Sequence, residues 1–176
     1  MQPTLTSARL RLRPASEDDL DALWALWTEP QVRRFLWDDV VIERDHARQT
    51  LRDFVRLAPR GLGLWAIVER DAGDRVGCGG LSPVGVAAEY FPPFAGAVEP
   101  IVALEPRFWS RGYAVEALGT LIAYARDDLK LDALVGVTDV PNVASDRLLR
   151  RVGFVPCAET DGPRERLRHY RLAPRP

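Results

Sequence analysis

Apolar residues along this chain recur in two rhythms, and the switch between them marks out the elements. Leu10 and Leu12 alternate with Arg9, Arg11 and Arg13, the period of a half-buried strand, which Pro14 ends. Ser16 then offers an N-cap, and Glu17, Asp18 and Asp19 put negative charge where a helix dipole favours it. Leu20, Leu23, Trp24 and Trp27 follow at helical spacing until Pro30 breaks the pattern. The acidic trio reads as an ordinary charged first turn. A short segment through Val32, Phe35, Leu36 and Trp37 leads to a second helical pattern from about Val41 to Leu57, closed by Pro59, Gly61 and Gly63.

Strand rhythm returns at Leu64 to Glu69 and at Arg75 to Val84, around the hairpin turn of Asp71, Ala72, Gly73 and Asp74. Gly85 to Gly96 is a loop made stiff by Tyr90, Phe91, Pro92, Pro93 and Phe94, suited either to walling a cleft or to plugging a sheet edge. Ala97 to Leu104 is the central strand. Pro100 inside it cannot donate to a ladder, which predicts a strand splayed or bulged along one side. A long helix begins near Gly112, with Val115, Leu118, Leu121, Ile122 and Ala125 on one face. Leu134 to Thr138 is a further buried strand. A short helix carrying Val143, Leu148, Leu149 and Val152 ends at Gly153, and Phe154 to Cys157 and Leu167 to Leu172 are the last two strands. Strand–helix–strand crossings within a largely antiparallel set place the chain in the α+β (mixed α/β) class.

Composition narrows the function. A chain of 176 residues with 47% apolar content suffices for one domain, 1–176, with its own core. The formal charge of −1 gives no reason to expect nucleic acid or a membrane as partner. Lys130 is the sole lysine among 24 basic residues, which reads as compositional bias. Two cysteines, Cys78 and Cys157, and two histidines, His46 and His169, lack metal-type spacing, so neither a metal site nor a disulfide framework is expected. The N-terminal residues lack a signal-peptide layout and no apolar run reaches spanning length, so a cytoplasmic location is expected.

The chemistry concentrates between Leu104 and Ala114. A strand stops at a proline turn, and Phe108, Trp109, Ser110, Arg111 and Gly112 lead at once into a helix. Such a junction directs unpaired backbone N–H groups and the positive end of the helix dipole at one spot, which suits a phosphate. Gly112 allows close approach. The signal belongs to many strand–turn–helix junctions; two later segments, Asn142-Val143-Ala144-Ser145 and Gly153-Phe154, give it context.

Together with the opening Leu10-Arg11-Leu12-Arg13-Pro14 and Asp18-Asp19-Leu20, these segments make the chain resemble the GCN5-related N-acetyltransferase (GNAT) superfamily, and within it the ribosomal-protein N-acetyltransferase branch, over nearly the whole length. The acyl-CoA signature of that family, Q/R-x-x-G-x-G/A, falls on Trp109 to Ala114. The resemblance implies a twisted, mostly antiparallel sheet of about seven strands flanked by helices and splayed between the fourth and fifth. It implies acetyl-CoA as cosubstrate, without metal, and an amine acceptor that is either a small molecule or a protein N-terminus.

The resemblance also implies roles for individual residues. Backbone N–H groups of Ser110, Arg111, Gly112 and Ala114, within the segment that also holds Trp109 and Tyr113, would hold the CoA pyrophosphate. Val102 and Leu104 would run along the pantetheine, with the Val102 N–H at the thioester oxygen. Asn142 would bond the pantetheine arm. Glu99 would be the base that takes the amine proton, and Ser145, near the sulfur, competes with a water for the part of acid. Many relatives place a tyrosine where this chain has Leu149; Trp109 stands for the signature's Gln or Arg, and Ser110 for a more usual glycine. Trp37, Asp38 and Asp39, with Tyr90 from the stiff loop, are the candidates for binding the acceptor, their carboxylates favouring a cation or else capping the next helix. Dimers are common in the superfamily, so a homodimer is one expected state. A catalytically weak CoA-binding sensor and an unrelated nucleotide-phosphate binder are the competing readings.

Overall fold

Five antiparallel strands in the order β1-β2-β3-β4-β5 form the main sheet of the computed structural model, which describes residues 2–85, 87–131 and 133–173. They are β1 (Leu5–Thr6), β2 (Leu10–Pro14), β3 (Gly63–Glu69), β4 (Arg75–Pro83) and β5 (Val98–Leu104). A second sheet has the order β6-β8-β7, from β6 (Val135–Asp139), β7 (Phe154–Asp161) and β8 (Arg166–Leu172). The two sheets touch through one parallel bridge, Val98 with Leu134, and beyond it β5 and β6 pair no further. The expected splay is therefore real, and it lies between the strands read as fourth and fifth; the two-residue β1 had no sequence signal of its own.

Helices cover both faces. On one, α1 (Leu20–Thr28), α2 (Pro30–Leu36) and α3 (Arg44–Val55) enclose a core of Leu23, Leu26, Trp27, Ala47, Leu51 and Cys78. On the other, α5 (Tyr113–Asp127) and α6 (Val143–Arg151) bury Leu118, Leu121, Ile122 and Leu149 against Leu12, Trp65, Ile67, Val76 and Leu104. Gly79 matters there: a Cβ on it would stand 3.0 Å from Leu121 Cδ1, so the missing side chain lets α5 lie close on β4.

Three details differ from the sequence expectation. Pro30 does break α1, but it also opens α2, because proline at a first helical position gives up an N–H that has no partner anyway. The helix expected from Val41 begins at Arg44, leaving Val40 and Val41 exposed. Asp19 is no solvated first-turn charge. It is fully buried, its carboxylate held by Arg13 at 2.6 and 2.7 Å, by Arg75 at 3.2 Å and by the Ser16 N–H at 3.0 Å. Burial pushes its carboxyl up, but the Arg13 guanidinium, the Ser16 N–H and the Arg75 charge together leave it below the usual range.

The stiff loop is a plug. It holds a one-turn helix, α4 (Ala87–Tyr90), and a 3₁₀ turn (Pro92–Phe94). Phe94 is fully buried, and Phe91 stacks on His169 of β8 at 4.7 Å.

Candidate active site

The splay dictates what β5 offers. The Glu105 N–H donates to Val76 in β4, whereas the Val98 N–H points the other way, to the Ala133 carbonyl. Strand alternation then turns the backbone groups of residues 98, 100, 102 and 104 toward the opening. Pro100 takes a regular place opposite Leu81, with no bulge, because its missing N–H lies on the open side where the ladder loses nothing. The Leu104 carbonyl accepts the Trp109 indole N–H at 2.8 Å. Val102 thus presents both backbone groups to the gap.

After β5, a 3₁₀ turn (Pro106–Phe108) leads to Ser110 and Gly112, both left-handed at φ 61° and 80°. A glycine is the more comfortable residue at the first of these, which gives a backbone reason for its usual presence there in relatives. No side chain caps α5, so the amides of its first turn are left for something else. The loop is braced from behind. Glu116 accepts from the Arg9 backbone and guanidinium and from the Ser7 hydroxyl, each at 2.7 Å, and Arg9 Nη1 donates to the Arg111 carbonyl at 3.0 Å. Burial raises the Glu116 carboxyl, but these donors hold it below its ordinary range. Tyr113 is bound the same way, its hydroxyl donating to Glu69 and its ring under Arg9. This brace was not foreseen, because it joins residues far apart in sequence.

A cavity of about 830 Å³ runs along these groups. Val102, Leu104, Trp109, Ser110, Gly112, Tyr113, Ala114, Asn142 and Ser145 line it, so most of the expected cofactor residues meet in one place. Arg111 does not; its guanidinium lies over the Phe108 ring. Asn142 caps α6 by accepting the Ser145 N–H at 3.1 Å, leaving its amide nitrogen for a ligand.

Glu99 belongs to the opposite face of β5, on the side of Ala103 and the α1–α3 core. Its carboxylate reaches into the splay and accepts the Val137 N–H at 2.7 Å. Burial pushes it up to about 7 against that hydrogen bond. Such a group changes protonation near neutrality, as a general base requires.

On the same face Trp37 packs edge-on against Trp27 and His46. Trp37 and Asp38 line a second cavity of about 460 Å³ with Val40, Val41, Glu43 and His46, and Leu36 borders both cavities. Asp38 and Asp39 are both left-handed, at φ 51° and 63°. The Asp39 carboxylate is taken by Arg33 at 3.0 Å and lines neither cavity; nor does Tyr90. Asp139, at the end of β6, was not anticipated. Burial and the charges of Asp38 and Glu165 push its carboxyl up, with the Arg164 charge opposing them. On β8, Arg166 and Arg168 are held by Glu159, and Arg168 also by Asp146. Among the described residues no group of His, Cys, Asp or Glu is placed to hold a metal, and no helix is long and apolar enough to cross a membrane.

The family model described as "Acetyltransferase (GNAT) domain" matches residues 9–155. This chain belongs to the GNAT acetyltransferases. The enzyme is 26% identical over 155 residues to the uncharacterized N-acetyltransferase YoaA of Bacillus subtilis (strain 168), spanning 88% of this chain and 84% of that one. A GnaT-family acetyltransferase of Bordetella pertussis shares the fold with a TM-score of 0.84 and 20% identity, over 98% and 100% of the two chains. RimL, a ribosomal L7/L12 alpha-N-protein acetyltransferase whose structure contains coenzyme A, gives 0.76 and 20%, over 96% and 97%.

Proposed function

We propose that this GNAT enzyme moves the acetyl group of acetyl-CoA to a primary amine by direct attack, with both substrates bound at once. One observation carries the reading: the β5–β6 opening leaves the Val102 and Leu104 N–H groups free of the ladder and holds the Glu99 carboxylate beside them. The cavity beside α5, with its left-handed Ser110 and Gly112 and uncapped first turn, fits a diphosphate.

Acetyl-CoA supplies an activated acyl group whose carbonyl oxygen gains negative charge as the amine adds. The Val102 N–H would donate to that oxygen, and backbone N–H groups from Ser110 to Ala114 would hold the diphosphate. Glu99 takes the proton that the amine loses, directly or through a water. As the N–C bond forms and the C–S bond breaks, the departing thiolate receives a proton from the Ser145 hydroxyl or a water. Leu149, buried where relatives place a tyrosine, has no proton to give.

The acceptor is a cation, either a small-molecule amine or a protein N-terminus. Asp38 and Glu43, which line the second cavity, supply negative potential there, while Leu36, Val40 and Val41 offer apolar contact. A screen of polyamines, aminoglycosides and short peptides with acetyl-CoA, following thiol release, tests this. At least one class should release thiol well above the hydrolytic background. Acetyl-CoA that binds but is never turned over would favour a CoA sensor. Saturating acetyl-CoA should raise the melting temperature, since a ligand at 100 times its Kd stabilises by about 2.7 kcal/mol; ATP or NAD should not.

A further inference from the structure

The large cavity has an uneven charge. Three arginines line it, Arg34, Arg147 and Arg151, and no carboxylate does, in a chain with 25 acidic residues. Two of the three share a helix. Arg147 and Arg151 stand four apart on α6, so their side chains emerge on one face, about 6 Å apart along the axis. Like charges at that spacing repel, and nothing among the described residues offsets them: neither forms an ion pair or hydrogen bond. The cationic neighbours are treated differently. Arg150 is held by Asp146 at 3.0 Å, and Arg168 by Asp146 and Glu159. The negative end of the α6 dipole accounts for cations in its last turn, but not for Arg147, nor for the pair facing the cavity being the pair without carboxylates.

We infer that Arg147 and Arg151 form a second anion subsite, on the α6 wall, that takes the 3′-phosphate of coenzyme A. The inference rests on the acetyl-CoA reading above. Two anionic groups of the ligand must be accommodated along one cavity. The α5 N-terminus offers backbone N–H groups to the diphosphate, and a terminal phosphomonoester needs charge from elsewhere. Guanidinium groups supply it with two-pronged donors, and the exposure of Arg147 and Arg151 suits a phosphate at the rim of the cleft. Because both side chains are unpaired, replacing them removes no internal contact, so folding should be unaffected.

The test is calorimetric binding of acetyl-CoA and of its 3′-dephospho analogue to the wild-type enzyme and to the double variant R147Q/R151Q. Wild type should bind the dephospho compound about tenfold more weakly, as one charge-assisted phosphate contact implies. The double variant should bind both compounds alike, near the weaker affinity, with an unchanged melting temperature. Equal affinity of wild type for the two compounds overturns the inference while leaving acetyl-CoA binding intact. Discrimination that survives in the double variant overturns it too, because the phosphate is then read elsewhere. Failure of wild type to bind either compound defeats the acetyl-CoA reading itself, and the subsite with it.

Discussion

The two sides of the β5–β6 opening are built by different means. Around the α5 N-terminus the surface on offer is backbone, and the side chains behind it serve as scaffolding: Trp109 holds the Leu104 carbonyl, Glu116 holds Arg9, and Tyr113 holds Glu69. On the α2 side the surface is side chain. Asp38, Val40 and Val41 project from a turn with two consecutive left-handed aspartates, and only Asp39 is tied, to Arg33. A backbone surface can serve the part of the ligand that stays the same from turnover to turnover. A side-chain surface can be altered without disturbing the sheet, which suits choice of acceptor.

The largest expected effect joins the two sides. Glu99→Gln should lower kcat about 10²- to 10⁴-fold in a thiol-release assay, the usual worth of a general base, while calorimetric affinity for acetyl-CoA stays within about twofold. Gly112→Val tests the backbone side. At φ 80° a β-branched residue is strained and a Cβ there would already meet Arg9 Nη2 at 3.4 Å, so acetyl-CoA affinity should fall about tenfold or more. Ser110→Gly should be neutral or slightly stabilising in thermal melts, because it relieves a left-handed serine without removing a backbone donor. Asp38→Asn should act least: a rise of about two- to fivefold in the KM of a cationic acceptor, weakened by salt, with no change in acetyl-CoA affinity. Should Asp38→Asn instead alter acetyl-CoA binding, the division between the two sides fails.

This division also explains what could be read from the sequence. The donor side was legible because its features are local. Pro100 and the strand–turn–helix order each constrain the backbone at their own positions, and the splay follows, whereas the left-handed turn at Ser110 and Gly112 came only with the structure. The acceptor side depends on which distant residues come together. Asp39 was grouped with Asp38 as a substrate carboxylate, but the pairing with Arg33 gives the two different surroundings. Asp139 entered only when the fold brought it within reach of the Asp38 charge. Asp19 is the same lesson in the core, since Arg75 reaches it from another strand. Arg147 and Arg151 carried no signal either. Their interest lies in the partners they lack, and only the packed molecule reveals that.

The pH dependence of kcat/KM, for wild type and Glu99→Gln with an acceptor amine of known pKa, bears most directly on the central claim. Burial raises the Glu99 carboxyl to about 7, so the group is protonated and idle below that value and ionised above it. Once the amine's own ionisation is divided out, wild-type kcat/KM should rise tenfold per pH unit up to about 7 and then level off. The variant should be slow and lack that limb. A Glu99→Gln enzyme that keeps both the limb and the wild-type rate would contradict the assignment of Glu99 as the base at this opening.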